Sequence, residues 1–360
     1  MKAVYIHIPF CTNICSYCDF PKMYKIEEYV EKYLNVLETE IKNNYQNELI
    51  ETIYIGGGTP SCLDEINLNK LFDIINIFRK DNNLEFTFEC NISDINEKFL
   101  NILKENKVNR ISVGIQTFNS KLINYLNRFH TKEEVLSKMF LVKKYFDNIN
   151  IDLMYAIKGE TLEDLKEDLN LFLTLDIPHI STYSLIIEPH TKLYQNGEEY
   201  IDEDLDYEMY KLIEKTLKEN NYNHYEVSNY SKDNYESKHN LTYWNNDNYY
   251  GFGMGASGYI KNTRYTNTKN LFEYLKGNYK YIETELSLKE QMQEEMFLGL
   301  RKLNGVSKKK FYQKYHQTIE EVFDIKNLIE SGKLIGKNEY IYINPKYIYV
   351  SNDILINFVG

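Results

Sequence analysis

Runs of apolar and β-branched residues alternate with helix-forming segments up to about residue 190, and this alternation limits the possible folds more than any other feature. The runs predict six strands, at residues 4–8, 52–55, 85–89, 110–115, 150–155 and 180–185. The intervening segments predict helices at residues 27–43, 67–78, 96–105, 132–145 and 161–173. Strands that alternate with helices form a parallel sheet covered by helices. We therefore expect an α/β fold built on a partial (β/α)6 TIM-like barrel, because a complete eightfold barrel takes about 250 residues.

Capping signals and the later segments complete the expected organisation. Thr131 with Glu134, and Thr161 with Asp164, have the spacing of helix capping boxes. The barrel is expected at residues 1–190, an extension rich in Asn, Tyr and Gly at 191–285, and a small mixed helical and β C-terminal domain at 286–360. A helix is predicted near residues 202–220, and a terminal hairpin at residues 340–343 and 347–350.

Composition excludes several classes of protein. The chain has 360 residues and a net charge of −11, which argues against a nucleic-acid binder with a basic face. No apolar run approaches the roughly 20 residues of a membrane-spanning helix, and the N-terminus lacks a signal peptide, so a cytoplasmic protein is expected. Of five cysteines, three lie within eight residues, which indicates a metal site rather than a disulfide framework.

The three clustered cysteines are Cys11, Cys15 and Cys18, and they follow the first predicted strand with the spacing Cys-x3-Cys-x2-Cys. Three thiolates can hold three corners of a four-iron four-sulfur cluster, which would leave the fourth iron open. Zinc is an alternative, although a structural zinc site needs four ligands. Three reduced cysteines in an ordinary loop are the other alternative. The spacing favours an iron–sulfur cluster.

The cysteine loop resembles that of the radical S-adenosylmethionine superfamily. The segments YIHIPFC, GGGTPS, RISVGIQTFN and NIDLMYA are similar to the superfamily's coproporphyrinogen dehydrogenase (HemN)-like branch, and the likeness covers nearly the whole chain. The dehydrogenases usually carry a further cysteine two residues after the third, where this chain has Phe20. The branch also contains heme chaperones, and Phe20 favours them over the dehydrogenases.

The resemblance implies a set of residues that bind S-adenosylmethionine at the carboxyl ends of the strands. The glycines of the GGGTP segment would let the backbone approach the methionine end of this ligand, with backbone N–H groups free to bind its polar atoms. Taken alone, the glycines are as consistent with an ordinary turn, and the strand-end polar residues with solvent-facing groups. Arg128 alone would be a surface salt-bridge residue, and Tyr5 a core aromatic. The implied residues are Tyr5, Gly57, Gly58, Thr59, Glu89, Gln116, Arg128 and Asp152.

A second segment, HNxxYW, matches a heme-binding motif of the family's chaperones. Its residues are His239, Asn240, Tyr243 and Trp244, the last being the only tryptophan. Imidazole can ligate heme iron, and the two aromatic rings offer flat apolar surface for a porphyrin. A packing cluster with a hydrogen-bonded histidine is the alternative explanation.

The resemblance implies a heme chaperone that carries a [4Fe-4S] cluster and S-adenosylmethionine and delivers heme to respiratory or other hemoproteins. Its expected partners are heme, acceptor hemoproteins that include membrane-associated enzymes, and an electron donor if the cluster is redox-active. A peripheral position at the membrane fits such acceptors. Two enzymatic alternatives stay open: oxygen-independent coproporphyrinogen III dehydrogenase, and another radical reaction on a tetrapyrrole, such as methyl transfer. Fold alone does not choose among these functions.

Overall fold

The computed structural model describes residues 3–359, and one mixed sheet of twelve strands organises most of them. The strands of this sheet are β1 (Ala3–Ile8), β4 (Ile50–Gly57), β5 (Lys80–Asn91), β6 (Arg110–Gln116), β7 (Asn148–Tyr155), β8 (His179–Ser184), β9 (Asn223–Glu226), β10 (Asn229–Ser231), β11 (Tyr249–Phe252), β12 (Ser257–Ile260), β13 (Thr263–Asn267) and β14 (Lys280–Glu285). A separate short pair, β2 (Phe10–Cys11) and β3 (Met23–Tyr24), flanks the cysteine loop.

The sheet runs in the order β14-β13-β12-β11-β1-β4-β5-β6-β7-β8-β10-β9. The six predicted strands are confirmed, and β1 and β4 to β8 pair in parallel in chain order. A seventh parallel strand, β11, pairs with β1 and comes from the strip rich in Asn, Tyr and Gly, for which no strand was predicted. The remaining strands extend both edges in antiparallel pairing.

The strands have one apolar and one polar face. On β6, Ile111, Val113 and Ile115 pack into the core beneath the helices, while Arg110 and Ser112 face the opposite way. Polar residues on this inner face bond across strands, as Asn150 Nδ2 does to the Ser112 hydroxyl at 2.8 Å. The inner face therefore carries the polar chemistry, and the outer face carries the hydrophobic core.

The predicted helices cover the outer face. The helices of the barrel are α1 (Glu27–Asn44), α2 (Glu65–Ile75), α3 (Glu97–Glu105), α4 (Ser120–Tyr125), α5 (Lys132–Val142) and α6 (Leu162–Leu175). Both threonines cap their helices, but only one capping box is complete. The Thr131 hydroxyl accepts a hydrogen bond from Glu134 N–H at 3.1 Å without the return bond from Glu134, whereas Thr161 with Asp164 forms both bonds. The short α4 was not predicted, and it precedes Arg128 in the candidate site.

The helices of the extension are α7 (Lys192–Gln195), α8 (Glu203–Glu219), α9 (Lys238–Trp244) and α10 (Leu271–Leu275). The C-terminal part contains α11 (Leu288–Gly299), α12 (Lys308–Tyr315), α13 (Ile319–Val322), α14 (Lys326–Glu330) and α15 (Asn352–Leu355), around a sheet of β15 (Val306–Ser307), β16 (Leu334–Lys337) and β17 (Tyr340–Ile343). Its buried residues form a hydrophobic cluster of their own between Met292 and Phe358.

The predicted terminal hairpin is wrong in one arm. Tyr340–Ile343 is a strand, but it pairs with Leu334–Lys337, which precedes it, rather than with residues 347–350. Pro345 begins a 3-10 turn because its ring lacks an N–H for sheet pairing, and this turn ends the β structure before residue 347. Within residues 3–359, no helix has the length and apolar character needed to cross a membrane.

Candidate functional site

Cys11 is the last residue of β2, and Cys15 and Cys18 lie on the loop that follows it. All three thiols are free; Cys11 is buried, whereas Cys15 and Cys18 are half-buried. In residues 3–359, no three His, Cys, Asp or Glu side chains stand close enough to hold a single metal ion. A four-iron cluster takes each thiolate on a different iron, so its ligand sulfurs stand farther apart than those around one ion. Three free thiols on one short segment are the donor type such a cluster takes, and their number would leave one iron open.

Hydrogen bonds connect the cysteine loop to residues 125–128, which are the last residue of α4 and the three residues after it. Four hydrogen bonds make this connection: Asn13 Nδ2 to Asn127 O (2.7 Å), Asn127 Nδ2 to Ile14 O (2.9 Å), Ser16 N to Leu126 O (3.1 Å) and Ser16 Oγ to Tyr125 O (2.9 Å). Because these bonds satisfy polar groups on both sides, the loop keeps a defined shape before any metal binds.

Arg128 extends the same connection to the cysteines and to the strand ends. Its Nη1 donates to Cys15 Sγ at 3.5 Å and to the Tyr17 hydroxyl at 3.3 Å. Its Nη2 donates to Asn91 Oδ1 at 3.0 Å and to the carbonyl oxygen of Gly114. One guanidinium thus joins the cysteine loop to the carboxyl ends of β5 and β6.

The glycine triplet packs directly against the cysteine loop. A Cβ on Gly58 would lie 2.9 Å from Cys11 Sγ and 2.8 Å from the backbone of Pro9, so no larger residue fits there. Thr59 Oγ1 donates to Cys11 Sγ at 3.5 Å. The N–H groups of Gly57, Gly58 and Thr59 already donate to acceptors within the protein. The expectation of free N–H donors is therefore wrong in this conformation, and the triplet contributes close backbone approach instead.

Glu89 belongs to the candidate S-adenosylmethionine site, called the nucleotide site below because the ligand carries an adenosine. Its carboxylate accepts hydrogen bonds from the Tyr54 hydroxyl at 2.7 Å and from Gly57 N–H at 3.0 Å. A Cβ on Gly56 would fall within 2.8 Å of this carboxylate, which explains the glycine there. Burial, assisted by the nearby Asp152 carboxylate, raises the pKa of Glu89 to about 7. Glu89 can therefore change charge near neutral pH.

Three further residues of the candidate site lie on β1, β6 and β7. The Tyr5 hydroxyl is hydrogen-bonded to His7 Nδ1 at 3.0 Å on β1. Gln116 ends β6 with a φ of 72°, a left-handed conformation that a non-glycine residue adopts only at a cost. Asp152 on β7 accepts from Asn150 Nδ2 at 2.7 Å and from the Tyr183 hydroxyl at 3.0 Å, and burial raises its pKa. The fold brings all of these side chains to one end of the parallel strands.

The HNxxYW segment forms α9, which lies against the inner face of the sheet rather than on the surface. Its first two N–H groups, on Lys238 and His239, donate to the Glu85 carboxylate at 3.0 and 2.9 Å. His239 is buried, and both ring nitrogens are hydrogen-bonded, Nδ1 to Thr52 Oγ1 and Nε2 to the Tyr243 hydroxyl, each at 2.8 Å. Burial lowers the pKa of His239 to about 3, so the imidazole is neutral. In this conformation neither ring nitrogen is free to bind iron.

The two aromatic residues of the segment point in different directions. The Tyr243 ring contacts the Tyr249 ring with centroids 4.6 Å apart, beside β11. The Trp244 ring instead lies beneath the Arg301 guanidinium, 5.7 Å away, next to the C-terminal helices. Consecutive helical residues point about 100° apart, so they cannot form one flat wall. Asn240 contributes its backbone N–H to the Ser237 cap at 3.2 Å, and the heme role of these residues stays a prediction.

Sequence reasoning missed Tyr54 and Arg110 on the inner face. Tyr54 precedes Gly56 by two residues, and period-two alternation could have placed it beside Glu89. Arg110 is almost fully buried, and within residues 3–359 it has no ion pair. Burial lowers the pKa of His179 and His239, and the charge of Arg110 lowers both further; the same charge opposes the rise in the pKa of Glu89. The sequence shows Arg110 only as a polar residue that opens a strand.

Comparisons with known proteins identify the family of the chain. The model of the radical SAM superfamily matches residues 5–172, and that of the HemN C-terminal domain matches residues 286–348. "Heme chaperone HemW" of Bacillus subtilis is 40% identical over 100% of both chains. The protein of the same name from Lactococcus lactis is 41% identical over 99% of this chain and 97% of its own.

A solved structure shows the same fold. Coproporphyrinogen III oxidase (HemN) from Escherichia coli, described as a radical SAM enzyme, superimposes with a TM-score of 0.88 and covers 99% of this chain and 90% of its own, at 19% identity. This likeness confirms the predicted partial barrel with a C-terminal domain. The sequence relationship is much closer to the chaperones, because their identity is about twice as high over the full length. The chain therefore belongs to the HemW family within the radical SAM superfamily.

Proposed function

We propose that this chain is a heme chaperone, which binds heme and transfers it to acceptor hemoproteins, including membrane-associated respiratory enzymes. The main support for this proposal is the full-length match, at 40% identity, to a relative named as a heme chaperone. Phe20 agrees with it, because this chain lacks a cysteine at the position where dehydrogenases of this family usually place a further one. We expect a cytoplasmic protein that meets such acceptors at the membrane surface.

The proposed cofactors are a [4Fe-4S] cluster and S-adenosylmethionine. Cys11, Cys15 and Cys18 would hold the cluster, and burial raises the pKa of the Cys11 thiol to about 11, so ligation must release its proton. Such a cluster supplies an open iron for the amino and carboxylate groups of the nucleotide and, when reduced, an electron that can cleave its C–S bond. The remaining nucleotide contacts are assigned to Tyr5, Gly57, Gly58, Thr59, Glu89, Gln116, Arg128 and Asp152.

Glu89 is suited to hold the positively charged nucleotide. Its carboxylate is fixed by the Tyr54 hydroxyl and Gly57 N–H, and lies in an enclosed polar site where an opposite charge is attracted more strongly than in water. Binding of a cation favours the ionised form of a carboxyl group. The nucleotide should therefore pull the pKa of Glu89 below its value of about 7 in the free protein.

Nucleotide affinity should depend on pH through this group. With a pKa of about 7, Glu89 is largely ionised at pH 8 and largely protonated at pH 6, so we expect binding to weaken about tenfold from the higher to the lower pH. The measurement is anaerobic calorimetry with S-adenosylmethionine on the reconstituted protein. The Glu89→Gln variant should bind S-adenosylmethionine weakly, and its affinity should no longer fall about tenfold between pH 8 and pH 6. An unchanged pH profile in that variant would show that another group titrates.

The second candidate is oxygen-independent coproporphyrinogen III dehydrogenase, favoured by the fold it shares with the Escherichia coli enzyme. Another radical reaction on a tetrapyrrole, such as methyl transfer, would use the same cluster and nucleotide. The higher identity to the chaperones and Phe20 in place of a cysteine favour heme transfer over both reactions.

The deciding experiment uses anaerobically reconstituted protein in two separate assays. We expect a stable complex with heme, detected by its absorption spectrum, and transfer of that heme to an apo-hemoprotein. With coproporphyrinogen III, S-adenosylmethionine and a reductant, we expect no protoporphyrinogen. Efficient decarboxylation, or failure to bind heme, would refute the chaperone function. A modified tetrapyrrole detected by mass spectrometry would point to the third possibility.

A further inference from the structure

Arg128 touches the cysteine loop and the nucleotide site at the same time. We propose that Arg128 is a positioning residue that hydrogen-bonds the Cys15 sulfur, sets the reduction potential of the bound cluster and makes that potential respond to the nucleotide. This inference rests on the cluster and nucleotide of the proposed function, and it assigns to one side chain the link between them.

The two ends of the guanidinium serve different partners. Nη1 faces Cys15 Sγ (3.5 Å) and the Tyr17 hydroxyl (3.3 Å), while Nη2 faces Asn91 Oδ1 (3.0 Å) on β5. The group is planar and rigid, so a movement at one end necessarily moves the donors at the other. Asn91 follows the nucleotide-site residue Glu89 by two positions on the same strand face.

One donor of the same group has no partner. Arg128 Nε is buried and makes no hydrogen bond among residues 3–359. A buried donor without an acceptor destabilises the fold, and a charged donor does so more strongly. A carboxylate or hydroxyl oxygen of a bound nucleotide could supply that acceptor. Binding there would reorient the planar group and change the geometry of the bond to Cys15.

Arg128 is held in place by the backbone around it. Its own N–H donates to Ile123 O at 3.0 Å, and the preceding Asn127 is bonded in both directions to the cysteine loop. The contact between Arg128 and Cys15 spans 113 positions in the chain. The backbone on both sides of the contact is therefore fixed, so a change in the bond to Cys15 has to come from the guanidinium itself, and the contact belongs to the folded barrel.

The sign of the effect follows from charge. Reduction adds one electron to the cluster and breaks no bond, and the electron comes from a low-potential one-electron donor such as dithionite. An N–H donor and a positive charge beside a ligand sulfur stabilise the more negative, reduced state and raise the potential. Thr59 acts on Cys11 in the same sense, but it is neutral. Loss of Arg128 should therefore lower the potential.

Lys22 provides a matched control. Its Nζ donates to the backbone carbonyls of Cys18 and Phe20, so it places a positive charge near the cysteines without bonding a sulfur. Arg128→Met removes both the charge and the bond to sulfur, and Arg128→Lys keeps the charge but loses the two-nitrogen donor geometry of the guanidinium. Lys22→Met removes a charge and two bonds to backbone carbonyls, but no bond to a sulfur. Comparing them separates the directed hydrogen bond from general electrostatics.

The experiment is redox titration of the reconstituted protein, followed by electron paramagnetic resonance, with and without S-adenosylmethionine. At the midpoint potential of wild type, Arg128→Met should have a ratio of reduced to oxidised cluster about tenfold lower. This ratio corresponds to a midpoint potential about 59 mV lower for a one-electron reduction. Lys22→Met should change that ratio much less, and Arg128→Lys should fall between them. The shift that the nucleotide causes in wild type should be lost in Arg128→Met.

Two results would overturn the proposal. One is a midpoint potential in Arg128→Met equal to that of wild type, and the other is a shift of this potential in Lys22→Met as large as that in Arg128→Met. A nucleotide-induced shift that is absent from wild type, or fully retained in Arg128→Met, would refute the coupling. Should the variants not assemble a cluster, wild type labelled with guanidino-15N arginine provides a second measurement. The electron spin of the reduced cluster should then show magnetic coupling to the 15N nucleus of the guanidinium. Absence of this coupling would also refute the proposal. Heme binding, measured on the same samples, reports separately on the proposed function.

Discussion

Replacement of any one of Cys11, Cys15 or Cys18 by serine is expected to remove nearly all cluster iron and sulfide from the reconstituted protein. A cubane cluster held by three thiolates keeps only two after the change, and a serine hydroxyl is a poor ligand for iron because it stays protonated at neutral pH. The measurement is iron and sulfide content, together with the visible absorption of the cluster. Full retention of both would refute the metal site.

The remaining cysteines give the matched controls. Cys62 and Cys90 are buried free thiols whose sulfurs face the backbone carbonyls of Phe10 and Phe88, at 3.5 and 3.8 Å. Serine at either position should leave iron and sulfide at the wild-type level. If Cys62→Ser also removed the cluster, a fourth thiol would have to take part.

The second large effect is expected from His239→Ala, which should destabilise the fold by about 3 kcal/mol. The change removes a buried ring and leaves the Thr52 and Tyr243 hydroxyls without their partner. It also removes the ring that packs 5.1 Å from that of Tyr54. Chemical denaturation and thermal melting measure the loss, while cluster iron should stay unchanged because no contact of His239 involves the cysteine loop among residues 3–359.

Heme binding by the same variant tests the motif directly. We expect weaker heme binding by His239→Ala at a low temperature at which the variant stays folded. His190 is exposed, so His190→Ala is the control for loss of any histidine and should change neither stability nor affinity. If His239→Ala is destabilised but binds heme normally, His239 is only structural. If its stability is unchanged, the buried hydrogen bonds of α9 carry little free energy.

Most of the barrel could be predicted from sequence because its signals are local. Strand alternation and the threonine caps at Thr131 and Thr161 depend on residues within a few positions of one another. The terminal hairpin failed for a related reason: residues 334–337 and 347–350 both flank the strand Tyr340–Ile343, and Pro345 had to be recognised as the start of a turn. Strand β11 was missed because its parallel partner, β1, lies at the other end of the chain.

The candidate site was predictable only in part. The polar residues at strand ends were recognised by resemblance, and the parallel sheet then explains why Glu89, Gln116 and Asp152 meet at one edge. The role of Arg110 was not visible, because an isolated arginine at a strand start usually faces solvent. Its burial depends on how neighbouring strands enclose the inner face.

The sequence alone determined the cysteine spacing, the strand and helix order and the absence of a further cysteine at Phe20, because these are properties of covalently close residues. Only the tertiary structure decided that His239 is enclosed with both nitrogens bonded, that Tyr243 and Trp244 diverge, and that Arg128 reaches Cys15. The bond from His239 to Thr52 and the bond from Arg128 to Cys15 join residues 187 and 113 positions apart in the chain, and Trp244 packs against Arg301 of the C-terminal part. Burial and hydrogen-bond satisfaction set such contacts, and both arise only when the strands and helices pack together.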